Sequence, residues 1–184
     1  MSLLRDAACS RGHSVELLDL DKASPTVCRI IPGREGKFVK KSWCEGLVKE
    51  AKEEMRDCKA DLCLGDGVGL ITEVSKEIAA SADATIVLSK NGSAIKEWVK
   101  HYKELGKPIL ATVASKVGCP AGGEKWNDEK RVGVACGLDR AEYKSGKLFP
   151  GPTVVGVAKT IEERYGLKPR PGIHCPEFKK ILEE

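Results

Sequence analysis

The sequence predicts a doubly wound α/β domain, a mostly parallel sheet with helices on both faces. Two observations carry this. Short runs such as ATIVLS (84–89) and PILATVAS (108–115) are apolar throughout rather than alternating, as strands covered on both faces must be. Between them lie longer segments whose apolar residues recur every three or four positions, the period of an amphipathic helix.

The elements follow in order. LLRDAACSR (3–11) reads as a helix stopped by Gly12, and VELLDLD (15–21) as a strand ending in acids. Pro25, Pro32, Gly33 and Gly36 mark a loop. Trp43, Leu47, Ala51, Met55 and Cys58 stripe a helix over 40–58, whose many Lys and Glu residues form a solvated face with same-helix pairs. ADLCLGDGVG (60–69) is a strand entering a glycine-rich turn, followed by a helix marked by Ile71, Val74 and Ile78. Ile95, Trp98, Val99, Tyr102 and Leu105 stripe the helix after 84–89. A loop (118–130) separates 108–115 from RVGVAC (131–136). Val154, Val157, Ala158, Ile161 and Tyr165 mark a late helix. The pattern divides the chain into an α/β domain over 1–167 and a proline-containing tail over 168–184 with a short helical end.

Composition narrows the function classes. The chain has 184 residues, 41% apolar and 32% charged, enough to bury a core. Nine aromatics are too few for the stacking platforms of single-strand nucleic-acid binders. The net charge of +4, spread along the chain, by itself neither implies nor excludes a nucleic-acid partner; with so few aromatics none is expected for this chain alone. No stretch of 18 apolar residues occurs and no basic-apolar leader opens the sequence, so the expectation is a cytoplasmic protein without a membrane partner. The eight cysteines (9, 28, 44, 58, 63, 119, 136 and 175) contain no C-x-x-C, which favours reduced structural thiols over a zinc site. His13, His101 and His174 are far apart and read as solvated residues.

In open parallel sheets, ligands bind beyond the carboxyl ends of the strands. Three such ends are polar: Asp19 and Asp21, then Asp66 within GDGVG, then Ser89, Lys90 and Asn91. An acid at a strand end can hold the water shell of Mg²⁺, and following glycines let backbone N–H groups approach phosphate oxygens. The alternative is that Gly65, Gly67 and Gly69 only make a tight strand-to-helix turn. Asp139 and Arg140 read as an exposed ion pair, with contact to a nucleotide as the alternative.

The succession helix, LLDLD, long helix, DLCLGDGVG, ADATIVLS, PILATVAS resembles the MinD/ParA-type (SIMIBI) branch of P-loop ATPases over roughly residues 3–165. The resemblance implies ATP and Mg²⁺ as ligands. It implies that Asp21, at the last acid of D-x-D, helps order the attacking water and that Asp66 binds Mg²⁺ through water. Gly67, Gly69 and Lys116 are the implied nucleotide contacts, although Ser115-Lys116 stands where many relatives carry Asn before a basic residue to read the base. Two further departures are plain: no Pro follows Asp66, and no G-x-x-x-x-G-K-S/T is present. In the family that loop directly precedes the helix that Leu3–Arg11 resembles, so the resemblance implies that its Lys and Ser/Thr fall within roughly three residues upstream of Met1, judged by helix length. Lys37, Lys40 and Lys41 do not replace it, since no strand precedes them. The chain is truncated, its start lies further upstream, or the loop has been lost; hydrolysis by the chain alone is expected to be impaired.

PGREGKF with the following Trp43, GDGVGLITEVSKEIA and VACGLDRAEY also look like the ATPase-like domain fused to CRISPR-associated ring nucleases of type III systems, which implies an accessory role. Two rivals share the alternating pattern: a flavodoxin-like FMN domain, because RGHSVELLDLD resembles the second strand of flavin reductases, and a non-catalytic assembly module. The rivals differ in where the sheet is incomplete. The P-loop reading puts the missing strand between 61–66 and 84–89, whereas the flavodoxin-like reading puts it between 15–20 and 61–66. Repair would come from a homo-oligomer, a partner chain's strand or direct pairing.

Overall fold

A computed structural model describes residues 1–21, 45–89, 92–116, 125–136 and 152–173. The elements are α1 (Ser2–Ser10), β1 (Val15–Asp19), α2 (Glu45–Asp57), β2 (Leu62–Asp66), α3 (Glu73–Ser81), β3 (Thr85–Ser89), α4 (Gly92–Glu104), β4 (Ile109–Lys116), β5 (Lys125–Asn127), β6 (Val132–Cys136) and α5 (Pro152–Tyr165). Helices and parallel strands alternate as the apolar pattern requires, and the α/β class stands.

The strands form two sheets rather than one. β1 and β2 pair in parallel, and a four-stranded sheet runs β3-β4-β6-β5. No ladder joins β2 to β3 among the described residues. The break therefore lies where the P-loop reading puts it. The position that the flavodoxin-like reading leaves vacant is closed by the β1–β2 ladder, which pairs Val15 with Leu62 through to Asp19 with Asp66.

Three details differ from the sequence reading. The first strand stops at Asp19 instead of Asp21, because Leu20 and Asp21 both turn their N–H groups onto the single Asp66 carbonyl, at 3.0 Å each. Residues 125–127, expected to be loop, form β5, antiparallel to β6; three residues are too short to show a period. His13 and His101 are buried, not solvated. His13 lies in the α1–β1 turn under α5, and His101 falls on the same helix flank as Trp98, whose ring it meets edge-on at 5.9 Å. His174 lies outside the described residues, as do Lys90, Asn91, Asp139 and Arg140.

The alternation of strand side chains builds the layers. Val15, Leu17, Leu62 and Leu64 share one face and pack on Met1 and Leu4 of α1. Leu18, Leu20 and Cys63 share the other and pack on α2 and α3 through Ala51, Met55, Val74 and Ile78. A third cluster joins Leu110 and Val113 of β4 to Val157 and Ile161 of α5, and Leu4, Leu62, Ala84 and Ile86 pack against it. Leu4 and Leu62 thus belong to the cores of both sheets. On α5, Gly156 is required, since a Cβ there would sit 2.5 Å from the Trp126 ring. The helix pairs of the exposed face exist as well, with Lys49 3.9 Å from Glu53.

At the amino edge of β1 the chain is clasped twice. Arg11 donates to both oxygens of Glu162 on α5 at 2.7 and 3.0 Å, and His13 Nε2 lies 3.0 Å from the same carboxylate. Ser14 donates to Asp61 from its N–H (2.8 Å) and hydroxyl (2.7 Å), and Arg170 caps the pair. Gly12 has φ +85°, and a Cβ there would lie 2.9 Å from the Arg170 carbonyl oxygen. Only glycine meets both demands.

Hydrogen bonds from Arg11, then His13, hold the Glu162 carboxyl at about 2 instead of 4.5, and bonds from Ser14, with Arg170 added, hold Asp61 at about 2 instead of 3.8. Both values are depressed, so the stabilisation is complete above the unfolded-state pKa values and is lost as pH falls from about 4.5 towards 2. Thermal unfolding should therefore be flat above about pH 5 and fall steeply below it. Glu162→Gln should lower the midpoint at pH 7 and make the acid limb shallower. An unchanged acid limb would refute the assignment.

Candidate functional site

The site forms at the carboxyl ends of β1 and β2. Asp19 and Asp66 are register partners and lie on the face that carries Leu17 and Leu64, the face α1 covers. The short α1–β1 turn makes α1 run antiparallel to β1, so its amino end returns to these acids. The contacts agree: Met1 packs on the Leu17–Leu64 cluster. Burial lowers the pKa of the Met1 ammonium, and the Asp66 and Asp6 carboxylates are near enough to oppose that. Negative charge at a helix amino end is favourable, because the first N–H groups there have no helical partner.

Asp19 is buried and Asp66 and Asp21 are half-buried. The bond from the Asp21 N–H to the Asp66 carbonyl holds the two residues side by side. Three of the acids read from the sequence thus come together at one strand-end edge. Among the described residues no group of three or more His, Cys, Asp or Glu side chains is placed to hold a metal directly. The arrangement suits a metal held through its water shell by one or two carboxylates, the usual manner for Mg²⁺ with phosphate.

The three glycines of GDGVG have different reasons. Gly65 sits within β2, and a Cβ there would fall 2.1 Å from Leu20 Cδ1; the buried Leu20 side chain occupies that space. Gly67 and Gly69 are exposed, have no positive φ, and would place a Cβ in open space. Neither crowding nor turn geometry demands glycine at 67 or 69, and Gly65 answers to packing against Leu20 within β2, so a tight turn accounts for none of the three. What Gly67 and Gly69 supply is bare backbone beside Asp66. Between them Val68 is buried in the α2–α3 core and anchors the turn, and Thr72 caps α3, its Oγ1 accepting the Ser75 N–H at 3.2 Å.

Lys116 ends β4 on the other sheet, where its backbone pairs with Cys136; its side chain lies outside what is described. Ser89 ends β3. Cys9, Cys58 and Cys63 carry free thiols, and burial, with Cys58 beside it, pushes the Cys63 thiol up to about 12. The acids and glycines could be read from the sequence because strand ends are polar there. The residues of LLRDAACSR carry no ligand signal of their own; only the family resemblance points to the amino end of α1.

No protein-family model and no curated protein matches this chain. Among solved structures, the chain is similar to the septum site-determining protein MinD complexed with Mg-ADP from Pyrococcus horikoshii OT3. The TM-score is 0.52 at 14% identity, covering 89% of each chain. The cell division ATPase MinD from Pyrococcus furiosus gives a TM-score of 0.52 at 16% identity, with 88% of this chain and 90% of that one covered. The fold is that of the MinD-like P-loop ATPases; at such identities the likeness concerns the fold alone.

The glycines make a direct test of this geometry. Gly65→Ala should cost about 1–3 kcal/mol in chemical unfolding by overpacking against Leu20. Gly67→Ala and Gly69→Ala should stay within about 0.5 kcal/mol of the parent. Equal losses at all three would refute the distinction.

Proposed function

We propose that this chain is a nucleotide-binding domain of the P-loop ATPase type whose ligand is Mg-ATP. The observation that carries the reading is the convergence of Asp19, Asp21 and Asp66 at one strand-end edge, with Asp66 near the amino end of α1 and beside the bare backbone of Gly67 and Gly69. In this reading Asp66 orders the water shell of Mg²⁺ and Asp21 the attacking water, while the backbone of Gly67 and Gly69 and the Lys116 side chain contact the nucleotide. The ligand class is supported by the Pyrococcus horikoshii MinD, which is complexed with Mg-ADP.

The proposal includes impaired hydrolysis. The 184 residues contain no G-x-x-x-x-G-K-S/T, so the backbone cradle and lysine that neutralise the β- and γ-phosphates in such enzymes are missing from them. The domain is accordingly taken as 1–167, with 168–184 as a tail. An accessory role of the kind filled by ring-nuclease-fused domains, and a cytoplasmic setting, rest on the sequence alone. No helix among the described residues is long and apolar enough to cross a membrane.

Titration calorimetry with Mg-ATP tests the reading. Asp66→Asn should weaken binding about tenfold, the cost of removing one charge-assisted contact. Asp57→Asn, at the far end of α2, should leave it unchanged. Equal effects from the two would refute the role of Asp66. No binding by the parent chain would favour the non-catalytic assembly module.

A further inference from the structure

The corner between α2 and β2 brings two thiols together. α2 ends at Asp57 and β2 begins at Leu62, and so short a connection turns the helix antiparallel to the strand, its carboxyl end over the strand's first residues. Side chains alternate along β2: Leu62 and Leu64 face α1, whereas Cys63 faces α2 and packs, with Met55, on the cluster that holds Ala51. Cys58 follows Met55 by three positions, the spacing of one helix flank, and so comes down beside Cys63. The two thiols meet as hydrogen-bond partners. Both are half-buried and open to small solutes, whereas Cys9 is buried. Two carboxylates stand near: Glu16, the register partner of Cys63 on β1, and Glu54, one turn before Cys58 on α2. Among the described residues no three such groups are placed to hold a metal together, which leaves the thiols a chemistry of their own.

We propose that Cys58 and Cys63 form a reversible dithiol–disulfide site whose oxidant is a small-molecule disulfide of the glutathione class. The Cys58 thiolate attacks one sulfur of that disulfide, which puts a mixed disulfide on Cys58 and releases one small thiol. Cys63 Sγ then attacks the Cys58 sulfur, and its proton passes to the second leaving thiolate. The pair loses two electrons and two protons, and one small disulfide becomes two thiols. The order of attack follows from the surroundings of Cys63. Burial, then Cys58 and the carboxylates of Glu16 and Glu54, pushes its thiol up to about 12, so it is poorly suited to attack first. With Cys58 in a mixed disulfide, the charge of that sulfur no longer opposes ionisation of Cys63. This inference concerns the α2–β2 corner and does not depend on nucleotide binding.

Peptide mapping of the 184-residue protein in glutathione buffers of rising oxidised fraction tests it. Trypsin cuts after Arg56, Lys59 and Lys76, which puts Cys58 and Cys63 on separate peptides, 57–59 and 60–76. After the remaining thiols are alkylated under denaturing conditions, a linked pair of these two peptides should be the first disulfide to appear. It should vanish on reduction with dithiothreitol. Cys63→Ser should instead retain glutathione on Cys58, at least about tenfold more than the parent in the same buffer, because no neighbouring thiol displaces it. Full alkylation of both thiols in the most oxidised buffer overturns the proposal. So does a glutathione adduct that persists on Cys58 of the parent, or an earlier disulfide from either residue to another cysteine. Should Cys63→Ser fail to fold, the mapping of the parent decides by itself.

Discussion

The carboxylate of Glu162 is the constraint on which the arrangement depends. Two sheets joined by no ladder among the described residues would be two marginal units, for a parallel pair of five-residue strands cannot stand alone in water. What makes them one body is the α1–α5 layer. Glu162 reaches from α5, which rests on the four-stranded sheet, to Arg11 and His13, which close α1 onto β1. The ionised carboxylate can only accept, so the His13 Nε2 donates to it. Beneath this clasp Leu4 and Leu62 merge the two cores, so polar and apolar contacts fix the same spacing.

That spacing positions the candidate site. With α1 held at its carboxyl end by Glu162 and along its length by Leu17 and Leu64, its amino end comes to the strand-end edge near Asp66. The acids and the helix end are thus arranged by contacts at the opposite edge of the sheet. The Ser14–Asp61–Arg170 cluster adds a second fastening there, tying the start of the tail to the strand ends. A carboxylate at each fastening makes the whole arrangement acid-sensitive, whereas the site acids contribute charge to a helix end.

Much of this is legible in the chain. Apolar runs bounded by glycine mark the strands to within a residue or two, and the three-and-four spacing marks the helices, because both periods follow from backbone geometry alone. The polar strand ends point to Asp66 and Asp21 because a parallel sheet concentrates its open edge there. The three residues around Trp126 are too few to display a period. The burial of His13 comes from α5, some 150 positions away, and no local pattern announces such a partner.

Residue type and spacing suffice for the class of fold, the order of its elements and the acids at the strand ends, since these depend on periodicity and on short-range chemistry. Tertiary contacts settle the rest. They divide the described strands into two sheets with no ladder between β2 and β3, make Gly65 leave room for Leu20 while Gly67 and Gly69 leave backbone open, and bring the amino end of α1 to Asp66. Each of these is a meeting of segments far apart in the chain. Local propensity places residues along an element, but only packing decides which elements meet.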